Sequence, residues 1–209
     1  MRGWAGGLAL LALLAGCQAP PKPDAGAEAR LQGARLAAML PCADGSQATL
    51  RNGLVVAYRG SDHRDPALCR LRWNGHDFLF YAGFWGDGRF RPPAPGQREA
   101  IAAALTGAVG TEASFPVQGA TLWSEVTVTH VASPPLMVGG VARPVVALRM
   151  VWHDALGRGE VRAERRIWID QASGIALRRE TITPMASGQD SRVVTWDVAS
   201  LDPQLAAAR

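Results

Sequence analysis

The chain contains one lysine. Lys22 stands against 21 arginines in 209 residues, and the arginines are spread among glutamates and tryptophans with no basic run. A formal charge of +4 distributed in this way lacks the clustered stripe or motif of a nucleic-acid binder. What it leaves is attraction to anionic headgroups or polymers. No apolar run reaches the roughly 20 residues that a membrane-spanning helix needs. There is no G-x-S-x-G nucleophile motif, no calcium-loop spacing of aspartates and no internal repeat. His63, His76, His130 and His153 are scattered. The pairs His76-Asp77 and His153-Asp154 do not give two ligands on one side, because strand neighbours point to opposite faces. No metal or cofactor site is therefore expected. Cysteine is scarce, with three residues: Cys17, Cys42 and Cys69.

What is present begins at the N-terminus. Arg2 is followed by an apolar stretch of about a dozen residues, Trp4 to Ala15, closing on Leu14-Ala15-Gly16-Cys17. A short apolar segment ending in small residues reads as an export signal rather than a span. An ordinary secretory signal would leave Cys17 free. The four residues closely resemble the lipobox of bacterial lipoproteins. That resemblance implies removal of residues 1–16 and acylation of Cys17. Several acyl chains hold a protein firmly where one does not. Gln18, in place of the aspartate that tends to retain enteric lipoproteins at the inner membrane, implies the outer membrane. The expectation is a lipid-anchored, periplasm-facing protein of 193 residues, long enough for one domain with its own core. Its partners would be the membrane, through the anchor, and an envelope lipid, glycan or protein, but not nucleic acid.

With Cys17 lipidated, Cys42 and Cys69 remain as an even pair in an exported chain, which favours a disulfide. The other reading is two separate buried thiols.

The segment Gln18 to Glu28, rich in proline, alanine and glycine, reads as a tether (17–28, counting the cysteine) with a reach of at most about 36 Å. A helical pattern runs from Ala27 to Leu40 and stops at Pro41. Residues 29–209 read as a single mainly β (α+β) domain. It is expected to be one curved antiparallel meander, half-barrel or sandwich-like, with one or two short helices. Thr49 to Tyr58 is strand-like around Asn52-Gly53, and Asn74-Gly75 marks a hairpin between Cys69–Trp73 and Asp77–Tyr81. Gln97 to Leu105 reads as a short helix. Five further strands follow: Thr121–Val131, Val145–His153, Glu160–Asp170, Ile175–Thr183 and Arg192–Val198, separated by short turns.

In the hairpin Glu160–Thr183, Ile167 and Ile169 alternate with Arg166 and Trp168. A register pairing Ile169 with Ile175 and Ile167 with Leu177 keeps one face apolar. It also places Glu164 diagonal to Arg178 and Arg166 diagonal to Glu180, on a solvated outer face. The string Arg166-Ile167-Trp168-Ile169-Asp170 … Gly174-Ile175-Ala176-Leu177-Arg178-Arg179-Glu180 resembles a hairpin of the periplasmic lipoprotein carrier and receptor half-barrels and their sigma-factor-regulator relatives. The resemblance covers about 20 residues and implies a curved sheet with helices on its concave face.

Two candidate sites emerge. Arg165 and Arg179 interrupt the inward face, opposite each other in this register. They are a candidate anion patch at a cavity rim, or a sheet end that leaves the core early. Ser61, Asp62, His63 and Asp65 supply a hydroxyl, a base and two carboxylates. They are the basis of an alternative envelope hydrolase, against the simpler reading of a polar turn closed by Pro66. No other catalytic set is present, so the leading expectation is a non-catalytic binding, carrier or assembly role. Trp73, Trp85, Trp123, Trp152, Trp168 and Trp196 are expected mainly as buried core anchors, the other reading being an exposed aromatic row.

Overall fold

Asn74 and Gly75 both take positive φ, 48° and 76°, and turn the chain between β3 (Leu68–Trp73) and β4 (His76–Tyr81). This is the hairpin turn expected of an Asn-Gly pair. The computed structural model describes residues 42–86, 93–118, 123–154, 161–185 and 190–203. The signal, Cys17, the tether and the helical pattern 27–40 lie outside the described residues.

The remaining strands are β1 (Gln47–Leu50), β2 (Val55–Ser61), β5 (Glu112–Gln118), β6 (Trp123–Val131), β7 (Leu136–Val138), β8 (Val141–Arg143), β9 (Val145–Asp154), β10 (Val161–Asp170), β11 (Ala176–Pro184) and β12 (Asp190–Asp202). Ten of them form one antiparallel sheet in the order β4-β3-β2-β1-β12-β11-β10-β9-β6-β5, while β7 and β8 pair apart from it. The meander is therefore split at β12, which pairs with β1 and joins the two ends of the chain into one sheet.

The helix α1 (Pro95–Thr106) begins with proline in its first turn, where the missing N–H costs nothing. Ala100, Ile101, Ala104 and Leu105 are buried in one cluster with Phe115, Val126, Leu148, Met150, Ile167 and Ile169. Leu68 and Tyr81, from the opposite end of the strand order, belong to the same cluster. Both ends of the sheet thus wrap round one helix, and the sheet is an open half-barrel. Fully burying an Ile or Leu side chain is worth about 1.5–3 kcal/mol, so the helix is held by its apolar stripe. Asp65 adds a 2.6 Å ion pair to Arg98 of the helix.

Cys42 and Cys69 form a disulfide with a Cα–Cα distance of 5.6 Å. It ties the start of the described chain to β3 inside a second cluster containing Tyr58, Leu71 and Leu177. Gly83 sits where a Cβ would come within 2.9 Å of the Gly174 carbonyl oxygen. This brings the loop after β4 against the β10–β11 turn. That turn is fixed by buried Asp170, whose Oδ2 accepts bonds from the Ser173 amide at 3.0 Å and hydroxyl at 2.5 Å.

The expected hairpin register is corrected. The pairs are Trp168 with Arg178, Ile167 with Arg179 and Ile169 with Ala176, with a bulge between Trp168 and Ile169. Leu177 is the extra residue on β11. It is buried with Ile175 and Val138 in the second cluster, in a register that simple alternation does not reach. Arg166 then stands directly opposite Glu180 rather than diagonal to it, and Glu164 opposite Ile182 rather than near Arg178.

Candidate functional site

The concave side of the half-barrel carries a band of aromatic rings with two arginines at its centre. It starts on β4, where Phe78 stacks on Trp73 with centroids 3.7 Å apart. Trp73 meets Trp196 of β12 edge-on at 6.0 Å. Arg179 of β11 lies over the Trp196 ring at 5.9 Å, and Arg165 of β10 lies over the Trp152 ring at 5.0 Å. Trp152 stacks on Trp85 at 6.2 Å, and Trp85 meets Phe115 of β5 at 5.4 Å. The band therefore runs from one edge strand to the other.

Strand alternation explains this placement. Arg165 precedes Ile167 and Ile169 in the same alternation on the inward face, and Arg179, paired with Ile167, shares it. The two arginines are diagonal neighbours, because Arg165 pairs with Thr181. This corrects the expectation that they are opposite. Burial first, and the nearby Arg179 charge second, push the Arg165 guanidinium below its ordinary pKa. Burial does the same to Arg179. Arg179 Nε donates to Thr195 Oγ1 at 3.2 Å. Arg165 Nε is buried and finds no hydrogen-bond partner among the described residues. Cationic donors over aromatic faces are stabilised by the ring quadrupoles, yet they retain hydrogen-bonding capacity for an anion.

Behind this rim lies a cavity of about 30 Å³ between Leu71, Phe84, Ile167 and Ala176, with Arg179 and Trp196 at its side. It has room for one or two waters. Among the described residues, α1 and residues 82–86 pack into the rest of the interior.

The tryptophans sit at the edge of the core. Trp73, Trp85, Trp152, Trp168 and Trp196 are all partly buried, and all but Trp168 pack against one of the two core clusters. The buried core is mainly aliphatic, with Tyr58, Tyr81, Phe84 and Phe115 as its buried aromatic side chains. The Trp123 side chain lies outside the described residues. The alternation Phe78, Phe80 on a strand after Asn-Gly was the signal available in the sequence for the β4 end of the band. Phe115 sits in β5, which Pro116 disguises.

The polar loop is placed as follows. Ser61 ends β2 and is exposed. Asp62 Oδ1 accepts the Arg64 amide at 2.9 Å, and Asp62 Oδ2 is 3.8 Å from His63 Nδ1. His63 Nε2 instead accepts from Arg64 Nε at 3.2 Å. Asp65 holds the Ala67 amide and Arg98. The loop brings the four residues close in sequence, and its contacts tie it to its own turn and to α1. His130 is far along the chain, with Nδ1 2.9 Å from the Gly107 carbonyl. Among the described residues no three His, Cys, Asp or Glu gather as metal ligands, and no helix is long and apolar enough to cross a membrane.

The fold and rim define an open, helix-filled half-barrel with an aromatic and cationic mouth. No protein-family model, curated protein or solved structure matches the chain.

Proposed function

We propose that the chain is a lipid-anchored protein of the bacterial cell envelope, held at the periplasmic side of the outer membrane through Cys17. The half-barrel is its non-catalytic binding module. The observation that carries this reading is the continuous band from Phe78 to Phe115 with Arg165 and Arg179 at its centre. The partly exposed rings of Phe78, Trp73, Trp196, Trp152 and Trp85 offer apolar area worth about 25 cal/mol per Å² covered, while Phe115 closes the band inside the core. A desolvated guanidinium adds a charge-assisted bond of about 1.5–3 kcal/mol. The matching partner has an apolar face and an anionic group. Because the cavity behind the rim is small, that partner rests across the mouth rather than sinking into the barrel, which suits docking or handover better than enclosed transport.

The test is titration of the full chain with a single-chain anionic phospholipid below its aggregation concentration, read by tryptophan fluorescence. A zwitterionic lipid of the same chain length serves as control. Saturable binding that weakens about tenfold in both Arg179→Gln and Trp196→Ala supports the reading. Binding that is absent, or that is unchanged from the parent in both variants, contradicts it.

A further inference from the structure

We propose that the convex face of the half-barrel, opposite α1, holds a second binding site, for a phosphomonoester group. The site is a groove of about 540 Å³ between the β6–β7 connection and the outer faces of β9 to β12. A ligand pocket is usually about 300–1,000 Å³. Arg149, Arg166, Arg178 and Arg192 all line it, with Trp168 as its aromatic wall. Trp168 is fixed in place by a 3.0 Å bond from Nε1 to Ser133 Oγ.

The charges are arranged in an unusual way. Arg149 and Arg166 stand directly opposite each other on paired strands, a position where like charges repel. Glu164 bridges them, accepting from Arg149 Nε at 2.8 Å and Arg166 Nε at 2.6 Å. Arg178 Nη2 is 2.6 Å from Glu180, and Arg192 Nη1 is 4.0 Å from it. Glu180 is only 5% exposed, so this face is not the wholly solvated surface that the sequence suggests. Four guanidinium groups against two carboxylates leave two positive charges over. Arg178 Nε is buried without a hydrogen-bond partner among the described residues, and its guanidinium lies 5.8 Å over Trp168. A dianion with three acceptor oxygens matches both the surplus charge and the fork geometry of the guanidinium. Val131, Pro134 and Leu136 on the far wall leave space for the apolar or ring-bearing remainder of the ester.

The phosphate group could be supplied by a soluble ester or by a lipid headgroup. The full chain in neutral detergent is therefore titrated with glycerol 3-phosphate by calorimetry, and with phosphatidic acid mixed into the micelles by ³¹P NMR. Saturable binding of glycerol 3-phosphate assigns a soluble source, and binding of phosphatidic acid alone assigns a lipid headgroup. In either arm, Arg166→Gln combined with Arg178→Gln should weaken binding at least tenfold, while Arg70→Gln, an exposed position on β3 outside the groove, leaves it unchanged. Arg192→Gln, at an exposed position with a single long contact, keeps the fold and should weaken binding about threefold to tenfold. Near-UV circular dichroism checks folding of each variant. No saturable binding of either probe, or equal binding by wild type and a folded Arg192→Gln, overturns the proposal.

Discussion

Arg165 and Arg179 are diagonal neighbours on the inward face of β10 and β11, each over a different tryptophan, Trp152 and Trp196. Two like charges side by side and half-buried oppose folding unless a partner compensates them. Arg165→Met should therefore leave stability unchanged or raise it by about 1 kcal/mol in urea unfolding. The same variant should lose affinity for an anionic amphiphile. A clear loss of stability would instead mark Arg165 as a structural residue.

Glu164 carries the opposite balance. Burial works to raise its pKa, but the hydrogen bonds and charges of Arg166 and Arg149 outweigh it and hold the carboxyl below its ordinary value. A carboxyl lowered in the folded state stabilises the fold above its unfolded pKa, roughly 4, and that contribution is lost as pH falls through the folded value. Unfolding free energy should thus drop as pH falls below about 4. In Glu164→Gln that part of the drop should vanish. At neutral pH the variant should lose about 1 kcal/mol, because Arg149 and Arg166 then face each other without a bridge. An unchanged acid limb in the variant contradicts the assignment.

The Cys42–Cys69 bridge closes a loop of sequence separation 27. Loop-closure entropy for that span is about 3.5 kcal/mol. A Cys42→Ala/Cys69→Ala double variant should unfold at correspondingly lower denaturant. A variant as stable as the parent would show that the second cluster holds β1 to β3 without the bridge.

Much of this architecture is legible in the sequence where local chemistry decides it. Asn74-Gly75 fixes a hairpin, and the apolar spacing of Ile101, Ala104 and Leu105 marks a helix. Alternation also places β6, β9, β10, β11 and β12 within a few residues. Three strands escape for physical reasons. Pro116 within β5 argues against a strand, yet β5 is the last strand in the sheet order, where a missing donor is tolerated. The strands β7 and β8 are three residues each, too short for a pattern. The bulge at Leu177 is invisible because periodicity alone favours an unbroken register, so Arg165 and Arg179 are legible as a pair but not in their diagonal geometry. The aromatic band joins residues from β4, β5, β9 and β12, and only the long-range curl of the sheet brings them together.

The full chain should show no hydrolytic turnover against ester, peptide, glycan or phosphate substrates. The basis is the commitment of Asp65 to Arg98 and of His63 to Arg64, which leaves Ser61 without an aligned base. Turnover that disappears in His63→Ala would move the function to that loop.

The proposed acylation of Cys17 would set where the rim meets its partner. Mass spectrometry of the N-terminal peptide from membrane-extracted protein tests it directly. The expected species begins at Cys17 and carries a diacylglyceryl group on sulfur and an acyl group on the new amine. Cys17→Ser should abolish that species and leave the chain unprocessed or free of the membrane. A soluble, unmodified chain that begins at any other residue would contradict the account.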